Sequence, residues 1–332
     1  MIFSSSPDHS GWWPLINHHL KAAGLEEGPD HGAIPDLLRS FDDDTLVALE
    51  YRLRDHDPES PDVSFKLTSS VQKLNVAQHL SDDSLADWFR RQARVVPAAA
   101  STPVWLEFDA LGGTGFGAPL VCLTLPEAVD DVASWALRLP GSVTATQRKL
   151  LARCQAALPR AARAMYLFDL SPRRAGWIRL EVFGISAALA PAYMGRIGAL
   201  VPDGLDEVAA WLEGGQKPHF SIDMGPDGEL SERVGFEISF AKQPPREDRW
   251  RLLFDRLETE GLCHPRRSEA MLGFTGQDRR ATAWDLWPAE PGRRRRRVAR
   301  VLSHVKIANK AGGGWEAKAY LLFQALGAGP VA

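Results

Sequence analysis

The sequence predicts an α+β fold in which about ten antiparallel strands, arranged as five hairpins, close into a barrel surrounded by helices. Three observations lead there. Five pairs of short segments alternate apolar and polar residues with a period of two, the signature of strands buried on one face. The pairs begin near residues 45, 104, 164, 218 and 300, so the first four recur at a spacing of roughly 55 to 60 residues, an internal repetition. Every pair except the last is followed by a stretch of helical character. Consecutive hairpins either leave two exposed edges or close on themselves, and closure removes the edges. Helices packed outside require the apolar faces to point outward, which turns the polar faces into a lumen. All 332 residues are expected to form a single barrel domain, with 1–42 as N-terminal helices packed outside and 43–325 as repeated hairpin–helix units.

Residues 11–24 and 35–41 have the apolar spacing of short helices. Segment 45–54 places Val47, Leu49, Tyr51 and Leu53 on one face and Glu50, Arg52 and Arg54 on the other. Segment 63–68 answers it with Val63, Phe65 and Leu67 against Ser64, Lys66 and Thr68. A helix follows over 81–95, with Ser81 as its cap and Asp82 and Asp83 near its positive end. Strands 104–109 and 120–125 flank a glycine-rich connection at 111–119, and helices over 127–162 break at Pro140 and Gly141. Strands 165–170 and 177–183 turn through 171–176, helix returns up to residue 211, and strands 219–224 and 233–240 turn through 225–230. After a helix over 248–260 and a less regular section, the last hairpin spans 300–323. Its first arm sets Val301, Val305 and Ile307 against Arg300, His304 and Lys306. Its second sets Ala317, Ala319 and Leu321 against Glu316, Lys318 and Tyr320.

Hydrophobic residues make up 45% and charged residues 24% of the chain, ordinary for a soluble globular protein. A formal net charge of -3 gives no general attraction to nucleic acid or an anionic membrane. The three cysteines, Cys122, Cys154 and Cys263, form no C-x-x-C pair and read as reduced thiols of a cytoplasmic protein. No apolar run approaches the length of a membrane helix, and the first residues lack the pattern of a signal peptide. Neither H-E-x-x-H nor G-x-S-x-G occurs, and the glycine-rich 111–117 lies between antiparallel strands with no helix to receive a phosphate, so no metal, serine-hydrolase or dinucleotide site is assigned. Cys263 beside His264 reads as a buried thiol. The arginine run 293–297 reads as a solvated loop, with docking of an acidic leader peptide as the alternative.

Collected hairpin by hairpin, the polar faces bring Glu50, Arg52, Arg54 and Lys66, then Glu107 and Asp109, then Asp169, Arg179 and Glu181 to the lumen. The fourth hairpin adds His219, Ser221, Asp223, Arg233 and Glu237, and the fifth adds His304, Lys306, Lys318 and Tyr320. Unpaired buried charge is costly, so such a lumen must hold water, pair its ions closely or bind a charged ligand.

The order of elements resembles the aromatic prenyltransferase barrel of the ABBA type, including its peptide-modifying members. That resemblance implies an isoprenyl diphosphate co-substrate, accompanied by Mg²⁺, held by strand-borne K-x-Y and R-x-K patterns, with a carboxylate on an early strand assisting the acceptor. Lys318 and Tyr320 match K-x-Y, His304 and Lys306 take the R-x-K spacing, and Arg52 and Arg54 add positive charge near Glu50. The chain departs from the pattern in having only Tyr51, Tyr166, Tyr193 and Tyr320, of which Tyr320 alone is placed inward. The motifs W-L-E-F-D at 105–109, G-L-C-x-P at 261–265, S-H-V-K at 303–306 and A-K-A-Y-L at 317–321 also resemble an uncharacterised bacterial family associated with ribosomally made, modified peptides. This second resemblance implies a peptide substrate, with or without a leader peptide, and partner enzymes of the same pathway.

The expected function is therefore a peptide-tailoring enzyme acting in a polar lumen, with prenyl transfer to a peptide side chain as its most specific form. Lys306, Lys318, Tyr320, Arg52 and Arg179 would hold the anionic group, Arg54, Lys66 and Arg233 would add substrate contacts, and Glu50 or Glu107 would be the base. A lanthionine-type cyclase is the alternative, with His304 or Tyr320 exchanging protons between thiol and enolate. A non-catalytic peptide-binding partner is the third reading.

Overall fold

The computed structural model describes residues 13–25, 31–38, 46–54, 61–79, 82–95, 102–112, 115–127, 129–212, 215–279, 295–310 and 313–327. The strands are β1 (Leu46–Arg52), β2 (Asp62–Leu67), β3 (Val104–Phe108), β4 (Leu120–Thr124), β5 (Arg163–Asp169), β6 (Ile178–Phe183), β7 (Gln216–Met224), β8 (Leu230–Ser239), β9 (Gly276–Arg279), β10 (Arg295–Asn309) and β11 (Trp315–Gly327). Strands β1 to β8 pair in sequence, β8 pairs with β10, β10 with β11, and β11 returns to β1. Ten antiparallel strands thus close the expected barrel. Strand β9 stands outside the ring, paired with the first part of β10 from Arg297 to Arg300.

The helices are α1 (Trp13–Ala23), α2 (Ile34–Leu38), α3 (Ser70–His79), α4 (Asp83–Val95), α5 (Val132–Ala136), α6 (Ala145–Ala156), α7 (Ala190–Ile197), α8 (Leu205–Trp211), α9 (Arg249–Thr259) and α10 (Pro265–Gly273). They cover the outer face of the barrel, and the main core lies between the two layers. Leu15, Ile16, Phe89, Tyr193, Trp250 and Phe254 from helices are buried in one cluster with Leu49, Phe65, Phe108, Phe220 and Phe236 from strands. Tyr193 meets Phe220 edge-on at 5.5 Å, and its hydroxyl donates to the Cys154 carbonyl at 3.2 Å, which satisfies the polar tip of a buried ring. No described helix is long and apolar enough to cross a membrane.

Several local expectations are corrected. Helices α3 and α10 and strand β9 were not anticipated, because their segments lack a clean apolar period. Asp82 caps α4, accepting from the Ser84 and Leu85 amides at 2.9 and 3.1 Å; Ser81 lies outside the described residues. Arg295 to Arg297 open β10 instead of forming a loop, while Arg293 and Arg294 lie outside the described residues. Arg54 sits past the end of β1 in an exposed bend. Asp169 does not enter the lumen: it accepts from the Gly141 and Ser171 amides at 2.8 and 2.9 Å and so fixes the break between α5 and α6. Arg300 also leaves the face of His304 and Lys306. An extra residue between Leu302 and His304 shifts the register, and the Arg300 guanidinium binds Asp278 of β9 at 3.0 Å on the outside.

Candidate active site in the barrel lumen

A cavity of about 670 Å³ runs through the barrel, walled by the inward residues of its ten strands. Its two mouths differ, because antiparallel strands contribute the starts of some and the ends of others to each. Arg52, Asp62, Asp109, Arg179, Asp223, Arg233 and Glu316 gather at one mouth with Arg173 from the turn between β5 and β6. Leu46, Lys66, Trp105, Met165, Ser239 and Leu322 line the other. One end is ionic, the other largely apolar.

Of the predicted residues, Glu50, Arg52, Lys66, Glu107, Arg179, Arg233, His304, Lys306, Lys318 and Tyr320 all line this cavity, and Arg54 does not. Tyr166 lines it too, together with Phe168, because the β5 register shifts between Ala164 and Tyr166; the expectation that Tyr320 alone points inward is corrected.

Most of the cations are matched by carboxylates from neighbouring strands. On one wall the Lys306 ammonium donates to Glu237 at 2.8 Å and to Glu181 at 3.1 Å, and Arg179 forks onto Asp223 at 2.6 and 3.2 Å. Glu237 also faces two imidazoles: His219 Nδ1 is 3.3 Å and His304 Nε2 3.5 Å from its Oε2. The two histidines diverge. Burial works against a charged His219, but the adjacent Glu237 carboxylate outweighs it and pushes its pKa up. Burial dominates at His304, aided by the charges of His219 and Lys306, and holds it down at about 4. Burial and the neighbouring Glu237 charge raise Glu181, whereas Lys306, His304 and His219 hold Glu237 well below the usual carboxylate range against its own burial.

On the opposite wall Lys318 donates to Glu50, and Arg173 forks onto Glu107 and Asp109. Burial would raise the Glu50 pKa, yet the Lys318 charge and hydrogen bonds from Lys318 and Tyr320 bring it down to about 2. Asp62, paired with Glu50 across β1 and β2, shows the reverse: burial and the Glu50 charge push it up to about 7. Its Oδ1 accepts from the Ala110 amide at 2.9 Å, and Oδ2 lies 3.9 Å from Arg52. Two adjoining carboxyl groups therefore differ in protonation near neutral pH.

Aromatic faces line the same space. His304 and Tyr320 stack with centroids 4.1 Å apart, and Lys66 lies 5.4 Å from the centre of the Trp105 ring. Cys122 also faces the cavity, but burial and nearby carboxylates raise its thiol well above the ordinary value.

Glu181, His219 and Glu237 bring potential metal-ligating atoms within 4.8 Å of one another. Lys306 already binds both of these carboxylates, so an ammonium supplies the positive charge there. A mixed nitrogen and oxygen set held around a lysine does not fit a resident Mg²⁺, which demands an octahedron of oxygens.

Asp62, Trp105, Tyr166 and Arg173 were missed as site residues. Trp105 was within reach, since it shares the face of Glu107 and Asp109. Arg173 was not, because a turn carries no alternation.

No model of a known protein family matches the sequence, and no curated protein matches it either. Solved structures similar in fold include AnaPT and PriB. AnaPT from Neosartorya fischeri superposes with a TM-score of 0.55 at 14% identity, over 95% of this chain and 92% of that one. PriB, solved as a binary complex with product diphosphate, gives 0.51 at 11% identity, over 93% and 94%. At these identities the likeness establishes fold alone. The chain has the closed ten-stranded architecture of the ABBA prenyltransferase barrel.

Proposed function

We propose that the lumen transfers an isoprenyl group from its diphosphate to a side chain of a ribosomally made peptide. The observation that carries this reading is the ionised Glu50, buried beside Lys318 and Tyr320 in a cavity walled by aromatic faces. In such a transfer the allylic C–O bond breaks with its electrons going to the diphosphate, the acceptor bonds to the allylic carbon, and a proton leaves the acceptor. A developing allylic cation is stabilised by π-faces and by exclusion of water, which the stacked His304 and Tyr320 together with Tyr166, Phe168 and Trp105 would supply. Lys318, Arg52 and Arg173 stand toward the ionic mouth, where a leaving diphosphate would need them. As Lys318 turns toward that diphosphate, Glu50 loses the partner that keeps its pKa low and becomes the stronger base for the departing proton.

Thermal stability with dimethylallyl S-thiolodiphosphate, which cannot ionise readily, tests this. A ligand at 100 times its Kd adds about 2.7 kcal/mol, a rise of several degrees, and Lys318→Ala should abolish it. No rise at saturating concentration would remove the transfer reading.

A specific observation favours a second reading. His219 and His304 share Glu237 while their pKa values are pushed apart, which suits one as acid and the other as base. That arrangement would serve thiol addition to dehydroamino acids in a lanthionine-type cyclase. Loss of free thiols from a dehydrated precursor at unchanged mass, dependent on His304, would favour it. A partner protein without catalysis would bind the precursor and produce neither change.

A further inference from the structure

Three groups at one end of the barrel, Lys66 and Trp105 on the cavity wall and Thr124 at the end of β4 beside it, lack the acceptor that their chemistry calls for. Among the described residues the buried Trp105 indole N–H has no hydrogen-bond partner, and neither has the buried Thr124 hydroxyl. Lys66 is the third. Among the described residues no carboxylate pairs with it; its ammonium rests over the Trp105 ring at 5.4 Å. The other cations of the cavity have carboxylate partners: Lys318 on Glu50, Lys306 on Glu181 and Glu237, Arg173 on Glu107 and Asp109, Arg179 on Asp223, Arg233 on Glu316, and Arg52 within 3.9 Å of Asp62. The three groups are close by register. Lys66 is the cross-strand partner of Trp105, Trp105 that of Cys122, and Thr124 shares the face of Cys122 two residues on. A buried donor without an acceptor is costly, so such a set is expected to be completed by a ligand.

We propose that Lys66, Trp105 and Thr124 form a subsite for one carboxylate carried on an apolar or aromatic group, as at a peptide's C-terminus or on an acidic side chain. One ammonium and two neutral donors balance a single negative charge. A diphosphate brings two or three more, and here it would meet Glu181, whose strand neighbour Tyr166 is also the partner of Thr124. Leu46, the cross-strand partner of Lys66, and Met165 give this mouth the surface for the carbon part of the ligand. The subsite rests on the reading that the lumen receives a peptide, and it sets that substrate's orientation: carboxylate toward the apolar mouth, reacting side chain toward Glu50.

The test follows the Trp105 indole ¹H–¹⁵N resonance, assigned with Trp105→Phe, during titration of the whole protein. N-acetylphenylalanine presents a terminal carboxylate, N-acetylglutamic acid α-amide a side-chain one, N-acetylphenylalanine amide none, and inorganic pyrophosphate a polyanion. A saturable shift is expected with one or both acids and not with the neutral amide. It should weaken at least tenfold in Lys66→Gln and persist in Lys66→Arg, which keeps the charge and controls for folding. Whichever acid acts at lower concentration identifies the source of the carboxylate. The proposal is overturned if both acids leave the resonance unmoved, if the neutral amide acts equally, if Lys66→Gln binds as tightly as the parent, or if pyrophosphate acts at lower concentration than either acid. An indole response without any stabilisation by the thiolodiphosphate would sink prenyl transfer while supporting the subsite.

Discussion

His304 and His219 approach the same oxygen of Glu237 from different strands, at 3.5 and 3.3 Å, and are driven to opposite protonation preferences. His304 also lies flat against Tyr320, with 22° between the ring planes, so its environment is that of a buried neutral imidazole. Tyr166 and Phe183 contact the His219 ring from its other sides.

Ring titration by NMR should separate the two histidines. His304 is expected to titrate near pH 4 and His219 above the ordinary 6.5. The folded His304 binds its proton less readily than the unfolded chain, so its contribution to stability is present above about 6.5 and is lost as pH falls toward 4. His219 has the opposite sign: its contribution is complete below 6.5 and fades as pH rises through its folded value. Urea midpoints of His304→Phe should therefore fall less steeply between pH 6.5 and 4 than those of the parent. Equal slopes would mean that His304 is solvated.

Lys318→Met leaves Glu50 buried without its cation. Removing one partner of a buried pair typically costs about 3–5 kcal/mol, and urea unfolding at pH 7 should show a loss of that order. The sign of the pH effect is set by Glu50, whose folded pKa is depressed. Its stabilisation is present above the unfolded value near 4.5 and lost as pH falls toward 2. In Lys318→Met burial is no longer opposed by the Lys318 charge and Glu50 rises toward or above its unfolded value, so the acid-linked loss should shrink and the stability gap to the parent should narrow as pH falls below 4.5. Unchanged stability would show that water satisfies Glu50.

Undisturbed alternation made much of the wall legible. Glu50, Lys318 and Tyr320 were readable because β1 and β11 pair residue for residue from Val47 to Arg52. Single-residue irregularities hid the rest. The extra residue before His304 turned Arg300 outward, the shift before Tyr166 turned that ring inward, and neither leaves a mark in the hydrophobic pattern. Asp169 looks like a lumen carboxylate in sequence, and only the tertiary position of Gly141 makes it a cap. Asp62 opens its strand directly after the connection from β1, where the pattern gives no way to count the register.

Gly235 keeps room for the Lys306 stem. A Cβ there would lie 2.6 Å from Ser221 Oγ and 2.9 Å from Lys306 Cε. Gly235→Ala should destabilise by about 1–3 kcal/mol, the usual range for overpacking, and disturb the pairing of Lys306 with Glu181 and Glu237. Adding Ser221→Ala removes the nearer clash and should recover part of the loss in urea unfolding. A double variant no better than Gly235→Ala alone would place the strain at Lys306 instead.

Arg173 ties the turn between β5 and β6 to Glu107 of β3 and to Asp109 just past its end, reaching over β4 at the ionic mouth. Within the turn, the Arg174 amide donates to the Leu170 carbonyl at 2.8 Å and the Trp177 amide to Arg174 at 3.0 Å. If the guanidinium holds the turn down, Arg173→Ala should speed hydrogen exchange of these two amides at least tenfold, since low-stability segments open locally without global unfolding. Amides of β6 should stay protected because their strand pairing is untouched. Arg173→Lys keeps one charge but not the fork onto two carboxylates, so its exchange should fall between the two. Exchange unchanged in Arg173→Ala would assign the turn's rigidity to Arg174, whose guanidinium lies 3.0 Å from the centre of the Trp177 ring.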